Sequence, residues 1–159
     1  MIEDNYQQAL DALRAEIPYL EIDPELVTME AAREGVIQRY GKIFSTETVG
    51  KITEEEFHGF LDFKNNCHWT TLFRHKARLT KDMDVLRSAL SKLLDGSLSL
   101  SERYDQADAI PGLGKNTITA ILLMDSPQEC GVWNQPSEQT LKELGVFPKV
   151  KGSQGERYS

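Results

Sequence analysis

Residues 107–123 read ADAIPGLGKNTITAILL, and this stretch decides how the rest of the chain is interpreted. A helical pattern runs toward Ala109, and the tight-turn string Pro111-Gly112-Leu113-Gly114 follows Ile110. Beyond the turn, the apolar residues Ile118, Ile121 and Leu122 recur at the spacing of one helix face, which predicts a second helix over residues 115–125. The stretch therefore predicts two helices joined by a short corner.

The corner has the chemistry of an anion-binding site. The first main-chain N–H groups of a helix have no partner inside the helix, and the helix dipole favours a negative charge beside them. Gly112 and Gly114 lack a Cβ, so they can adopt a positive φ and allow a phosphate to approach closely. We expect Leu113, between them, to be buried and to hold the turn rigid. The structural alternative is that a Pro-Gly turn can occur in any helical hairpin.

Helix signals dominate the remaining sequence, so the predicted fold class is all-α. Three helix starts have a recognisable N-terminal cap: Asp23 before Pro24, Thr53 with Glu56, and Ser99 with Glu102. Ile52 and Phe57 suit a hydrophobic staple at the Thr53 start. We also expect Pro18 to close the first helix, Thr80 to cap a helix that ends near Asp95, and a last helix over 137–144.

Composition divides the chain unevenly. The formal net charge is −7, and residues 1–50 alone hold 10 acidic and 4 basic side chains. The remainder is nearly neutral, so a phosphate-facing surface can coexist with an acidic first third. We predict an acidic N-terminal helical segment over 1–50, a hairpin domain over 51–148, and a flexible tail or truncated linker over 149–159.

The sequence lacks the patterns of a membrane span, a signal peptide and a zinc site. It contains no apolar run long enough to span a bilayer and no basic, then apolar, N-terminus, so we expect a cytoplasmic protein without a membrane partner. Cys67 and Cys130 have no C-x-x-C spacing, which indicates neither a disulfide framework nor a zinc site. The sequence predicts no metal centre.

The corner resembles the helix-hairpin-helix motif of DNA-binding proteins. In that family the hairpin binds DNA backbone phosphates without reading sequence, often with a monovalent cation held by hairpin carbonyls. The resemblance implies phosphate contacts from Gly112, Gly114 and Lys115. The predicted DNA-binding set within the corner is Pro111, Gly112, Leu113, Gly114, Lys115, Asn116 and Thr117.

The fold implied is similar to that of the helix-hairpin-helix DNA glycosylases, but the catalytic positions differ. Members with lyase activity have a lysine where this chain has Asn116, and the catalytic aspartate position falls on Asn134. An asparagine cannot act as a carboxylate base or stabilise a developing positive charge. We therefore predict no catalytic residue. The scaffold could still hold an extruded base, with Trp69, Trp133 and Asn134 as pocket candidates. Asn134 is equally well explained as a helix cap.

A second resemblance covers roughly residues 55–158. The blocks FLDFKNNCHWTTLFRH, IPGLGKNTITAILL, GVWNQPSEQTLKELGVFP and GERYS occur in an order similar to that of a helical module in prokaryotic proteins with an McrB-type AAA+ restriction NTPase. The resemblance implies DNA recognition in a restriction or antiviral defence system. The chain has no G-x-x-x-x-G-K-[ST] motif, so an NTPase or nuclease of that system would be another domain or chain.

Basic and aromatic residues alternate over 67–78, which suits a nucleic-acid surface. Arg74, Lys76 and Arg78 are the candidate phosphate contacts there. The alternative is that Trp69, Leu72 and Phe73 form a buried helix stripe, with the cations solvated.

Three functions remain open from the sequence. The first is a non-enzymatic DNA-binding module that grips phosphates through the hairpin. The second is a DNA glycosylase of unusual chemistry, supported by the scaffold likeness alone. The third is a protein–protein adaptor that docks a partner through the acidic helices of residues 3–40.

Overall fold

The computed structural model describes residues 2–20, 22–66, 72–147, 149 and 151–159. Every regular element among these residues is helical, which confirms the all-α prediction. The α-helices are α1 (Ile2–Leu20), α2 (Pro24–Tyr40), α3 (Glu54–Leu61), α4 (Phe63–Asn66), α5 (Lys76–Leu79), α6 (Met83–Leu93), α7 (Leu100–Asp108), α8 (Lys115–Asp125), α9 (Gln135–Glu143) and α10 (Gln154–Tyr158). Short 3-10 helices occupy Val49–Lys51 and Leu72–His75. No helix of the described residues is both long and apolar enough to cross a bilayer.

Helix α8 lies at the centre of the core. All of its residues from Thr117 to Met124 are buried, so this helix is enclosed on every side. Thr119 is tolerated in this apolar setting because its hydroxyl has two hydrogen bonds. It donates to the Lys115 carbonyl at 2.8 Å and accepts the main-chain N–H of Trp133 at 2.9 Å. The second helix of the hairpin is therefore fixed by the core itself.

Aromatic packing closes the core on the side of α2 and α3. Phe44 and Phe60 lie 4.6 Å apart between ring centroids in an edge-to-face arrangement, and Tyr40 and Phe57 extend the cluster. Val49 belongs to the same core and is fully buried. The core thus extends to both sides of residue 50.

The predicted caps of three helices are confirmed. Asp23 accepts the N–H groups of the first turn of α2, and Thr53 and Ser99 form capping boxes with Glu56 and Glu102. Ile52 and Phe57, the expected staple pair, are both buried. These starts were predictable because a cap depends on residues three positions apart.

Two local predictions are wrong. Pro18 does not close α1, which continues to Leu20, because a proline near the end of a helix removes few hydrogen bonds. Asp82, not Thr80, caps α6, since its carboxylate accepts the N–H groups of Asp84 and Val85, both at 3.1 Å. The Thr80 hydroxyl instead bonds back to the Lys76 carbonyl at the end of α5.

The structure has a helix within residues 149–159, where the sequence predicted a flexible tail or truncated linker. Residues 154–158 form α10, which packs against α7 and begins with a Ser153–Glu156 capping box. A Cβ on Gly155 would lie 2.3 Å from the Ser101 carbonyl oxygen, so only glycine permits this close approach. The Gly155 N–H also donates to Asp105 at 2.8 Å.

Candidate nucleic-acid interface

The corner between α7 and α8, residues 110–116, has the features of a type II β-turn. The Leu113 N–H donates to the Ile110 carbonyl at 3.0 Å, with Pro111 and Gly112 at the two central positions. Gly112, at the second central position, has a φ of +99°. A type II turn requires a positive φ at this position, and glycine adopts it without strain. Leu113 is fully buried, as predicted, and anchors the turn in the core.

The same corner exposes main-chain donors. Gly114 caps α8 through its backbone alone and is exposed, as is Pro111. In the part of the chain that the structure describes, no acceptor takes the N–H groups of Gly112, Gly114, Lys115 or Asn116. The Thr117 N–H, by contrast, already donates to the Gly114 carbonyl. Helix α8 therefore begins with a small group of donors able to bind an anion.

The side chain of Lys115 turns from the corner toward α9. Its Nζ donates to Glu138 Oε2 at 2.8 Å and lies 5.1 Å from the centroid of the Trp133 ring. Lys142 donates to the other carboxylate oxygen of Glu138. The hydrogen bonds from Lys115 and Lys142 lower the pKa of Glu138 to about 2. A phosphate that recruits Lys115 must therefore compete with a carboxylate that is charged at neutral pH.

Part of the basic run packs against the corner. A Cβ on Gly112 would lie 3.3 Å from Arg78 Cδ, so the stem of this arginine lies against the turn. Leu72 and His75 line the same shallow pocket, of about 350 Å³, as residues 110–117. Arg74 is exposed, whereas Lys76 forms an ion pair with Asp62. Of the three predicted cations, the structure brings Arg78 directly to the hairpin and engages Lys76 elsewhere.

An acidic residue also lines this pocket. Asp108, the last residue of α7, lines it together with the start of α8. Burial, with a smaller contribution from the Asp105 carboxylate, raises the pKa of Asp108. Its negative charge opposes the binding of an anion in this pocket.

Trp133 is part of an aromatic cluster. Its ring lies 6.2 Å from that of Tyr158 at an interplanar angle of 9°, and Tyr104 and Phe147 lie within 6.4 Å. The indole N–H donates to Glu138 at 3.2 Å. These contacts explain Trp133 as a wall that holds α9 and α10 together. Trp69, the other predicted pocket aromatic, lies outside the described residues.

Asn134 is the cap of α9. Its side-chain oxygen accepts the Ser137 N–H at 3.0 Å, and the Ser137 hydroxyl accepts the Asn134 N–H at 3.0 Å. The helix begins two residues earlier than expected because the reciprocal pair is completed by Ser137, with Pro136 in the first turn. The structure thus supplies the capping explanation for Asn134 that the sequence left open.

Sequence reasoning missed two residues of this site, Glu138 and Asp108. Glu138 stands 23 positions after Lys115, and no local pattern connects them. Asp108 was visible in the hairpin stretch, but its half-buried position beside the pocket depends on the packing of α7. Among the described residues, no cluster of three or more histidine, cysteine or acidic side chains could hold a metal ion.

Comparisons with protein-family models, curated proteins and solved structures find no match for this chain.

Proposed function

We propose that this chain is a non-enzymatic DNA-binding module that grips backbone phosphates at the hairpin corner. The observation that carries the proposal is the set of unpaired main-chain donors at Gly112, Gly114, Lys115 and Asn116, on an exposed turn beside Arg78. Such donors match a phosphodiester oxygen, and the dipole of α8 adds to the attraction.

Recognition of this kind is independent of base sequence. Main-chain N–H groups and arginine contact phosphates that every DNA presents, so they position the duplex without identifying it. The affinity then depends on released counterions and falls as salt rises. Because Glu138 pairs with Lys115 and Asp108 lines the pocket, we expect this module alone to bind DNA weakly and to need additional protein–DNA contacts for tight binding.

The wider role proposed is recognition of DNA in a restriction or antiviral defence system. Its support is the order of sequence blocks over roughly residues 55–158, which resembles the helical module of McrB-type restriction proteins. In this role an NTPase or nuclease carried by another domain or chain would be the partner.

A salt titration tests the proposal. Binding of a fluorescent duplex is measured by anisotropy over a series of salt concentrations, for the wild type, Arg78→Ala and the matched control Arg14→Ala. Arg14 carries the same charge but lies exposed on α1, paired with Asp11. The quantity compared is the slope of the logarithm of the binding constant against the logarithm of the salt concentration. We expect Arg78→Ala to reduce the magnitude of this slope by about 1, and Arg14→Ala to leave it unchanged. Affinity that does not fall with salt would contradict the proposal.

A protein adaptor is the second candidate, and exposed apolar side chains in the first third favour it. Tyr6, Leu13 and Tyr19 on α1 are each about half exposed, and Ile22 is 73% exposed. Since the surrounding residues are strongly acidic, the matching partner is a protein with a basic and apolar surface. Tyr6→Ser with Leu13→Ser would then abolish capture of that partner. No duplex binding at any salt would favour the adaptor over the DNA-binding module.

A further inference from the structure

Phe73 is an exposed aromatic ring inside the basic run. It is 44% exposed, whereas the preceding Leu72 is 2% exposed and belongs to the core. The rings of Tyr40, Phe44, Phe57 and Phe60 pack on one another, but Phe73 has no ring partner within the part of the chain that the structure describes. Core packing therefore accounts for Leu72 and not for Phe73.

The ring belongs to a short helix that borders the hairpin corner. Phe73 lies in the 3-10 helix Leu72–His75, whose first and last residues, Leu72 and His75, line the pocket of the corner. Arg74 and His75 are exposed next to it, and Arg78 contacts Gly112 a few residues later. A partly exposed ring and exposed cations thus lie on the short helix that borders the main-chain donors of the corner.

We infer that Phe73 is a stacking site for an unpaired base. The inference rests on the proposed function and adds its substrate class: DNA in which a single-stranded segment adjoins the backbone held at the corner. A phenyl ring has a flat apolar face that matches any base, and cations beside it neutralise the flanking phosphates. In an intact duplex the base faces are covered by neighbouring base pairs, so only an unpaired base offers a free face.

The experiment compares three probes of equal strand length: a blunt duplex, a duplex with a single-stranded extension, and a single strand. Anisotropy gives the affinities, and a 2-aminopurine in the extension reports stacking by loss of its fluorescence. Phe73→Leu keeps apolar volume without a ring, Phe73→Tyr keeps the ring, and Tyr6→Leu removes an exposed ring on α1 as a matched control. Circular dichroism checks that each variant is folded.

We expect the extended duplex to bind roughly five- to a hundredfold more tightly than the blunt one, with quenching of 2-aminopurine. Phe73→Leu is expected to remove this preference without weakening the blunt duplex, while Phe73→Tyr and Tyr6→Leu retain it. Equal binding of the two duplexes, or equal loss on both in Phe73→Leu, would overturn the inference but leave the phosphate grip intact. Absence of salt-dependent binding to every probe would overturn both.

Discussion

Replacing Gly112 by alanine is expected to destabilise the fold, whereas the same replacement at Gly114 is not. Gly112 has a φ of +99°, and an added Cβ would lie 3.3 Å from Arg78 Cδ and 3.4 Å from Leu79 Cδ2. Alanine in a left-handed conformation costs about 1–2 kcal/mol. Alanine also stiffens the unfolded chain, which offsets about 0.4–1 kcal/mol of that cost. Leu79 is buried, however, so it has little room to move away from the added methyl group. The net loss in the free energy of unfolding is about 1–2 kcal/mol.

Gly114 provides the control in the same turn. Its φ is −87°, an ordinary value, and no atom lies within 4 Å of an added Cβ. The gain of about 0.4–1 kcal/mol from the unfolded chain offsets the roughly 0.5–1 kcal/mol lost when alanine replaces glycine as a helix cap. The net change is close to zero.

Urea unfolding of both variants, followed by far-ultraviolet circular dichroism, measures the difference. We expect the midpoint of Gly112→Ala to fall at an unchanged slope and that of Gly114→Ala to stay near the wild-type value. If the two variants were equally stable, the turn would not have the geometry on which the phosphate grip depends.

Three further predictions concern α9. Asn134→Ala is expected to lower the free energy of unfolding by about 1 kcal/mol while Asn134→Asp retains stability, because both asparagine and aspartate can cap; equal urea midpoints for the two variants would refute the cap. Glu138→Gln is expected to raise duplex affinity severalfold by releasing Lys115, and anisotropy that shows no gain would refute the competition. Since the pKa of Glu138 is lowered to about 2, the stability from its ion pairs is present above its ordinary value of 4.5 and is lost as pH falls through about 2. Acid unfolding of Glu138→Gln is expected to lack that loss.

The sequence was most informative where structure is local. The capping boxes at Thr53 and Ser99, the Pro-Gly turn and the buried Leu113 all depend on residues a few positions apart. It was least informative where side chains meet across the fold. Arg78 against Gly112 and Lys115 against Glu138 arise from the way helices pack around α8, and no spacing rule contains that information. The sequence identified the corner but could not identify its acidic neighbours.

The central claim is that the main-chain donors of the hairpin corner bind DNA phosphate. Lys115 is the first residue of α8, a position that accepts proline because the N–H there is not used by the helix. Lys115→Ala removes the side chain and keeps the N–H, whereas Lys115→Pro removes both. The ratio of their duplex dissociation constants at one salt concentration therefore isolates the main-chain donor.

We expect Lys115→Pro to bind at least about tenfold more weakly than Lys115→Ala, the loss of one charge-assisted hydrogen bond, with both variants folded by circular dichroism. Equal dissociation constants for the two folded variants would contradict the claim.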